Sequence, residues 1–185
     1  MTKTQIKKAL IFAGVCVAII AGIKEGNRYL TKRFSPEAQA TYVSSEINLT
    51  VDYCQPAIKG RDIFGIEEAL VPYDEVWRTG ANEATEVTID RDVLVNNEPL
   101  AAGTYTLFTI PHASGWTIIF NKELGQWGAF DYDEQLDVLR VDVPSQETDQ
   151  VSELFVIDFQ AEDTVVNMQL HWDNTLVRVP FKPQS

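Results

Sequence analysis

Lys59, Arg61 and Arg78 are three of only eight lysines and arginines that follow Arg33, and they fall in two stretches, residues 53–65 and 70–85, that keep neither a strand period nor a helix period. The same stretches carry Tyr53, Tyr73, Trp77 and Asn82 among turn formers such as Pro72 and Gly80. Aromatics and cations in packed, irregular loops either lock a corner of a fold or line a pocket. If the two loops converge, they build an aromatic-walled pocket with an arginine fork, suited to a carboxylate or a sugar acid. If Arg61 and Arg78 are instead tied to acids such as Asp62, Asp74 or Glu83, they are structural and Trp77 fills the core beneath them. Gly60 and Asp62 beside Arg61 make it the more exposed cation, whereas Trp77 and Gly80 place Arg78 in a tight corner. Trp127, between Gly125 and Gly128, adds a ring that can stack on a sugar face or seal a corner.

Other chemistry has less support. Asp131, Asp133, Glu134 and Asp137 put four carboxylates close together, but without the glycine and closing glutamate of a helix–loop–helix calcium loop, so they read as a solvated acidic turn. Cys54 is the lone cysteine beyond the apolar segment that holds Cys16, which excludes a disulfide within the domain and a cysteine metal cluster. His112 and His171 have no spacing that links them to Cys54 or that suits zinc. G-x-S-x-G, Walker, dinucleotide and H-E-x-x-H motifs are absent. No metal and no cofactor is expected. A hydrolase would have to rest on paired carboxylates, which need no linear signature, and Asp74 and Glu83 are the acids nearest the two loops.

The elements that must position these residues are strands. Ile47, Leu49, Val51 and Tyr53 alternate with polar residues over 46–53, and Val87 and Ile89 do so over 85–90. Residues 93–95 and Leu100 flank an Asn96-Asn97 turn, and 104–110 with 116–121 form a second hairpin. Further strands carry Leu139, Val141 and Val143 up to Pro144, then Phe155, Ile157 and Phe159, then Val166, Met168, Leu170 and Trp172, and finally residues 175–181. About nine strands with turns between them predict an all-β protein, an antiparallel β-sandwich. Helix is expected only as turns at 67–70 and 133–136.

Before the sandwich, residues 9–23 are an uninterrupted apolar run with Lys3, Lys7 and Lys8 ahead of it and Lys24, Arg28, Lys32 and Arg33 behind. Three readings compete: a lipoprotein signal, a cleaved signal and an uncleaved anchor. Val15 before Cys16 is wrong for a lipoprotein, and the clear Ala-x-Ala, Ala38 to Ala40, lies too far downstream for cleavage. A single membrane-spanning helix is the preferred reading, with snorkelling lysines lending it length, and cleavage is the runner-up. The expected organisation is a tail and anchor over 1–33, a linker over 34–44 and the sandwich over 45–185, held outside the cytoplasm on the periplasmic side. Residues 1–33 carry seven Lys/Arg and one acid, net +6, whereas 34–185 carry eight Lys/Arg and 26 acids, net −18. Such a domain repels phosphate backbones, which excludes nucleic acid as a partner.

The segments YCQPAIKGRDIFG, LVPYDEVWRTGANEAT, LAAGTYTLFTIP and WTIIFNKELGQWGAFDYDEQLDVLRV resemble, in order and spacing, the bacterial family known as domain of unknown function 2911, DUF2911. The resemblance runs from about Ser35 to the end. It implies a β-sandwich and a secreted or envelope protein, and brings with it no catalytic residue, cofactor or ligand. Two positions depart from the family pattern, Cys54 where serine is usual and Gln55 where arginine is usual, and many members begin with a cleavable signal. The expected role is a membrane-anchored binding or accessory module for a small molecule, a glycan or an envelope protein. Its candidate contacts are Lys59, Arg61, Tyr73, Trp77, Arg78, Asn82 and Trp127. A carboxylate-dependent hydrolase and a purely structural envelope protein are the alternatives.

Overall fold

The computed structural model describes residues 30–184, with Phe12 and Gly26 before them. The chain divides into Met1–Phe34 and Ser35–Ser185. In the first unit the described residues 12, 26 and 30–32 are helical. Apart from Phe12, the apolar run 9–23 lies outside the described residues, and among those described no helix is long and apolar enough to cross a membrane.

In the second unit, alternation of apolar and polar residues makes strands, and the apolar sets face one another across a shared core. The strands are β1 (Glu37–Val43), β2 (Asn48–Cys54), β3 (Phe64–Gly65), β4 (Val71–Pro72), β5 (Thr85–Ile89), β6 (Val93–Val95), β7 (Glu98–Leu100), β8 (Gly103–Pro111), β9 (Gly115–Asn121), β10 (Asp137–Glu162) and β11 (Val165–Pro183). Nine of them pair in the order β1-β2-β5-β8-β9-β10-β11-β6-β7, and every pairing in that order is antiparallel. β3 and β4 form a small parallel pair. The first part of β10 extends the β1-to-β9 layer, and its later part pairs with β11, so the run of strands folds over on itself as a sandwich. Leu49, Val51, Val87, Leu107, Ile118 and Phe120 from one layer share a core with Phe155, Ile157, Met168, Leu170, Val177 and Phe181 from the other.

The expected all-β class holds, but the strand count changes. The four strands expected between 139 and 181 are two, β10 and β11, of 26 and 19 residues. Pro144 does not end a strand; it lies opposite Gly115 in the last pair between β10 and β9, where its missing N–H costs the ladder little. Register shifts either side of Ser152, and Asp173 opposite it at φ 53°, bend the long pair without breaking it. Residues 34–44, expected as a linker, contain strand β1, which pairs from Glu37↔Cys54 to Val43↔Asn48.

Two turns follow sequence chemistry directly. Asn96 and Asn97 take φ 49° and 72°, the left-handed pair that a two-residue hairpin between β6 and β7 requires. Residues 134–136 are a 3-10 turn whose cap, Asp133, accepts from the Gln135 N–H, while 67–70 form only a turn. The outer face of β8 and β9 is covered as well: Phe108 and Ile119 are buried there with Ala84, against Val76, Ala129 and Tyr132 from the flanking loops.

Candidate functional site

The loop 71–85 is pinned by its backbone. Trp77 N–H donates to Thr109 O (2.7 Å) and Thr109 N–H donates to Trp77 O (2.9 Å), which carries the indole into the core. There it stacks on Trp172, with centroids 5.8 Å apart, and meets Phe64, Trp116 and Phe155 edge-on. Its Nε1 donates to Gly80 O (3.1 Å). Thr79 sits at φ 54°, an uncommon conformation for a β-branched residue, fixed by bonds from Thr85 Oγ1 to its carbonyl (2.6 Å) and from its own hydroxyl to Thr109 Oγ1 (3.2 Å). This loop locks a corner, and Trp77 is a core residue rather than a pocket wall.

The cations do not form a fork. Arg61 is exposed and turns onto its own loop, donating from Nε to Ile58 O (3.0 Å) and from Nη2 to Ala57 O (2.5 Å). Lys59 is exposed at φ 49°, and its N–H donates to Glu153 Oε1 (3.0 Å). Arg78 is half-buried, and its Nε is covered and without a hydrogen-bond partner. Burial pushes the Arg78 guanidinium below its ordinary range, and the adjacent Cys54 works the other way. Cys54 itself is buried, with Sγ 3.9 Å from Glu83 Oε2. Asn82 is buried at φ 59°, donating from Nδ2 to Ser35 O (3.2 Å). Trp127 is half-buried and bridges Glu83 through the backbone.

The two loops nonetheless converge. Val71 N–H donates to Ile63 O (2.8 Å), Tyr73 N–H to Gly65 O (2.7 Å) and Asp74 N–H to Pro111 O (2.9 Å), which brings Phe64 and Tyr73 beside the β8–β9 turn. β10 crosses between layers at the same place, after Pro144↔Gly115. A Cβ on Gly115 would stand 2.8 Å from Val143 O, so only glycine allows that approach. The result is a cleft of about 290 Å³ walled by Phe64, Tyr73 and Trp116. His112, Ala113 and Ser114 rim it from the turn, Ser145, Gln146 and Glu147 from β10, and Thr175 from β11. Of the candidates read from sequence, Tyr73 lines this cleft; the others do not.

His112 is part of a hydrogen-bonded relay at the rim. Its Nδ1 lies 2.5 Å from Asp74 Oδ1, its Nε2 lies 3.2 Å from Thr117 Oγ1, and the Thr117 hydroxyl donates to Asp142 Oδ1 (2.6 Å). Both ring nitrogens of His112 thus have an oxygen partner, Asp74 at Nδ1 and Thr117 at Nε2. Asp74 is engaged by His112 while Glu83 stands at Cys54, so the two acids expected as a hydrolase pair serve different neighbours. His171 Nε2 lies 2.9 Å from Gln150 O.

Two acids of the run, Asp133 and Asp137, are engaged locally. Asp137 accepts from Asn121 Nδ2 (2.8 Å), Tyr132 Oη (2.6 Å) and Arg140 Nε (2.7 Å), and Asp133 caps the 3-10 turn. Desolvation, then the bond to Asp137, pushes the Tyr132 hydroxyl up to about 12. Among the described residues no group of three or more His, Cys, Asp or Glu could hold a metal ion.

Residues 35–181 match the family model described as protein of unknown function, DUF2911. The chain belongs to the DUF2911 family. No curated protein and no solved structure matches it. The match begins at the first residue of the second structural unit and takes in every residue of the cleft. At the two positions expected to depart from the family pattern, Cys54 is buried and acts electrostatically on Arg78, and Gln55 Nε2 donates to Phe155 O (3.1 Å) and Tyr53 Oη (3.2 Å). Sequence reasoning missed Phe64, His112, Glu147 and Thr175. The one local signal was that His112 follows Pro111 at the tip of a predicted hairpin; its partner Asp74 is 38 residues away.

Proposed function

We propose that this DUF2911 protein is a binding module, tethered to a membrane by residues 9–23, that holds a small ligand in the cleft between Tyr73 and Trp116. The supporting observation is the cleft itself: about 290 Å³, three aromatic rings in its wall and hydroxyl, amide and carboxylate groups at its rim. Its size is at the lower end for small-molecule sites, which matches a head group rather than a long chain. The basic residues flanking the apolar run support the tether, and a periplasmic position of the domain goes with it.

The test is a fragment titration on the full chain in detergent, read by shifts of the Tyr73 and Thr175 amides and the Trp116 indole. Saturable shifts at these three that vanish in Tyr73→Ala are expected. A screen in which no fragment saturates at the cleft refutes the binding reading. A product that fractionates as soluble at full length refutes the tether.

A further inference from the structure

We infer that the ligand of this cleft is an organic cation, an alkylated ammonium head group; the inference rests on the reading of the cleft as a ligand site. The lining contains no lysine or arginine, and it does contain the Glu147 carboxylate. His112 is the one lining residue able to carry positive charge, and it is flanked by Asp74 directly and by Asp142 through Thr117. Even with His112 charged, Asp74, Asp142 and Glu147 leave the rim net negative. Arg178, on the neighbouring strand, donates to Gln146 Oε1 and is held there. Around this rim the whole domain is net −18 over residues 34–185, a field that concentrates cations and repels anions.

The walls favour the same class. Cations are attracted to the face of an aromatic ring, and a compact head group needs only part of one face, which the partly exposed Tyr73 can give beside a volume of this size. A sugar needs a broad, flat ring face on which to lie. Trp116 is only 3 % exposed, and Phe64 is wedged edge-on among Trp77, Trp116 and Trp172, so neither offers one. A sugar acid, the ligand suited to an arginine fork, would face Glu147 with no lysine or arginine in the lining to meet it.

The test titrates the full chain in detergent with tetramethylammonium chloride, methyl glucoside and sodium glucuronate in parallel, read at the same three cleft signals. Tetramethylammonium alone should saturate them. Its affinity should drop about tenfold in Glu147→Gln, which removes the local carboxylate, and less than about twofold in Glu162→Gln, which makes the same change of net charge at the exposed far end of β10, beside its turn into β11, and alters only the screened field. Equal losses in both variants would mean that the general field, not this cleft, attracts the cation, and would overturn the inference. Saturation by the glucoside or the glucuronate with tetramethylammonium inert would overturn it while leaving the binding reading intact. If none of the three saturates while another fragment does, the cation class fails alone; if no fragment saturates either, both fail together.

Discussion

Replacing Arg78 by methionine should make the domain more stable. The sequence puts this arginine in a tight corner where a buried acid partner was expected, and truncation would then strand that acid. The structure gives it a different balance: Nε is covered and unpaired, and burial depresses the guanidinium with only Cys54 opposing. A covered donor without a partner costs roughly 1–3 kcal/mol, and replacing buried charge by an apolar group of similar length is often neutral or favourable by about 1–4 kcal/mol. Because Arg78 is only half-buried, the lower part of these ranges applies, about 1–2 kcal/mol. For a domain of this size that is a rise in Tm of about 3–8 °C. Arg78→Ala removes the same unpaired donor but leaves a void, so its Tm should stay within about 3 °C of the parent. Arg61→Ala, which loses two exposed bonds to its own loop, should also be nearly neutral, within about 1 kcal/mol. Melts of the full chain in detergent by circular dichroism measure all three. A drop of more than about 6 °C in Arg78→Met would mean the guanidinium is paired after all, and the reasoning fails.

Trp77→Ala should cost about 3–5 kcal/mol, because the ring is enclosed by Phe64, Trp116, Phe155 and Trp172; urea unfolding that places the loss under about 1 kcal/mol would return Trp77 to the surface. At the β6–β7 turn, Asn97→Ala should cost about 1 kcal/mol in the same assay and Asn97→Gly close to nothing, since φ 72° suits glycine; equal losses would contradict the left-handed turn. Raising the pH should expose the Tyr132 bond. A phenol raised in the folded state keeps its proton after the unfolded chain has lost its own, so its stabilising contribution is full below about pH 10 and is lost as the pH rises through about 12. Tyr132→Phe should therefore show a shallower fall of Tm between about pH 10 and 12 than the parent, and parallel curves would refute this.

What could be read from the sequence was whatever repeats at short range. β5 and the β8–β9 hairpin follow from alternation and turn residues, and their bounds shift by one or two residues at most. β1 escaped notice because it is a half-wet edge strand whose inward residues include the small Ala38 and Ala40, which give little period. β10 and β11 were split because Pro144 and Asp173 are turn formers in isolation, whereas in a strand that leaves one partner for another a missing donor or a bulge is tolerated. The direction of Trp77 had no local signal at all. It is set by a bridge to Thr109, 32 residues downstream, and so is everything that hangs from it.

That bridge also explains why a cleft forms beside a corner that is otherwise fully packed. Trp77 anchors the end of the loop in the core while β3–β4 pairing holds its start, so the residues between, Tyr73 and Asp74, are stretched across the mouth of the β8–β9 turn. Asp74 then bonds Pro111 through its backbone and His112 through its carboxylate, which fixes the rim at two points. Core packing on one side of the loop thereby sets wall geometry on the other. On the proposed reading, a site organised in this way would lose little to ordering on binding, which is what a small head group with few contacts requires.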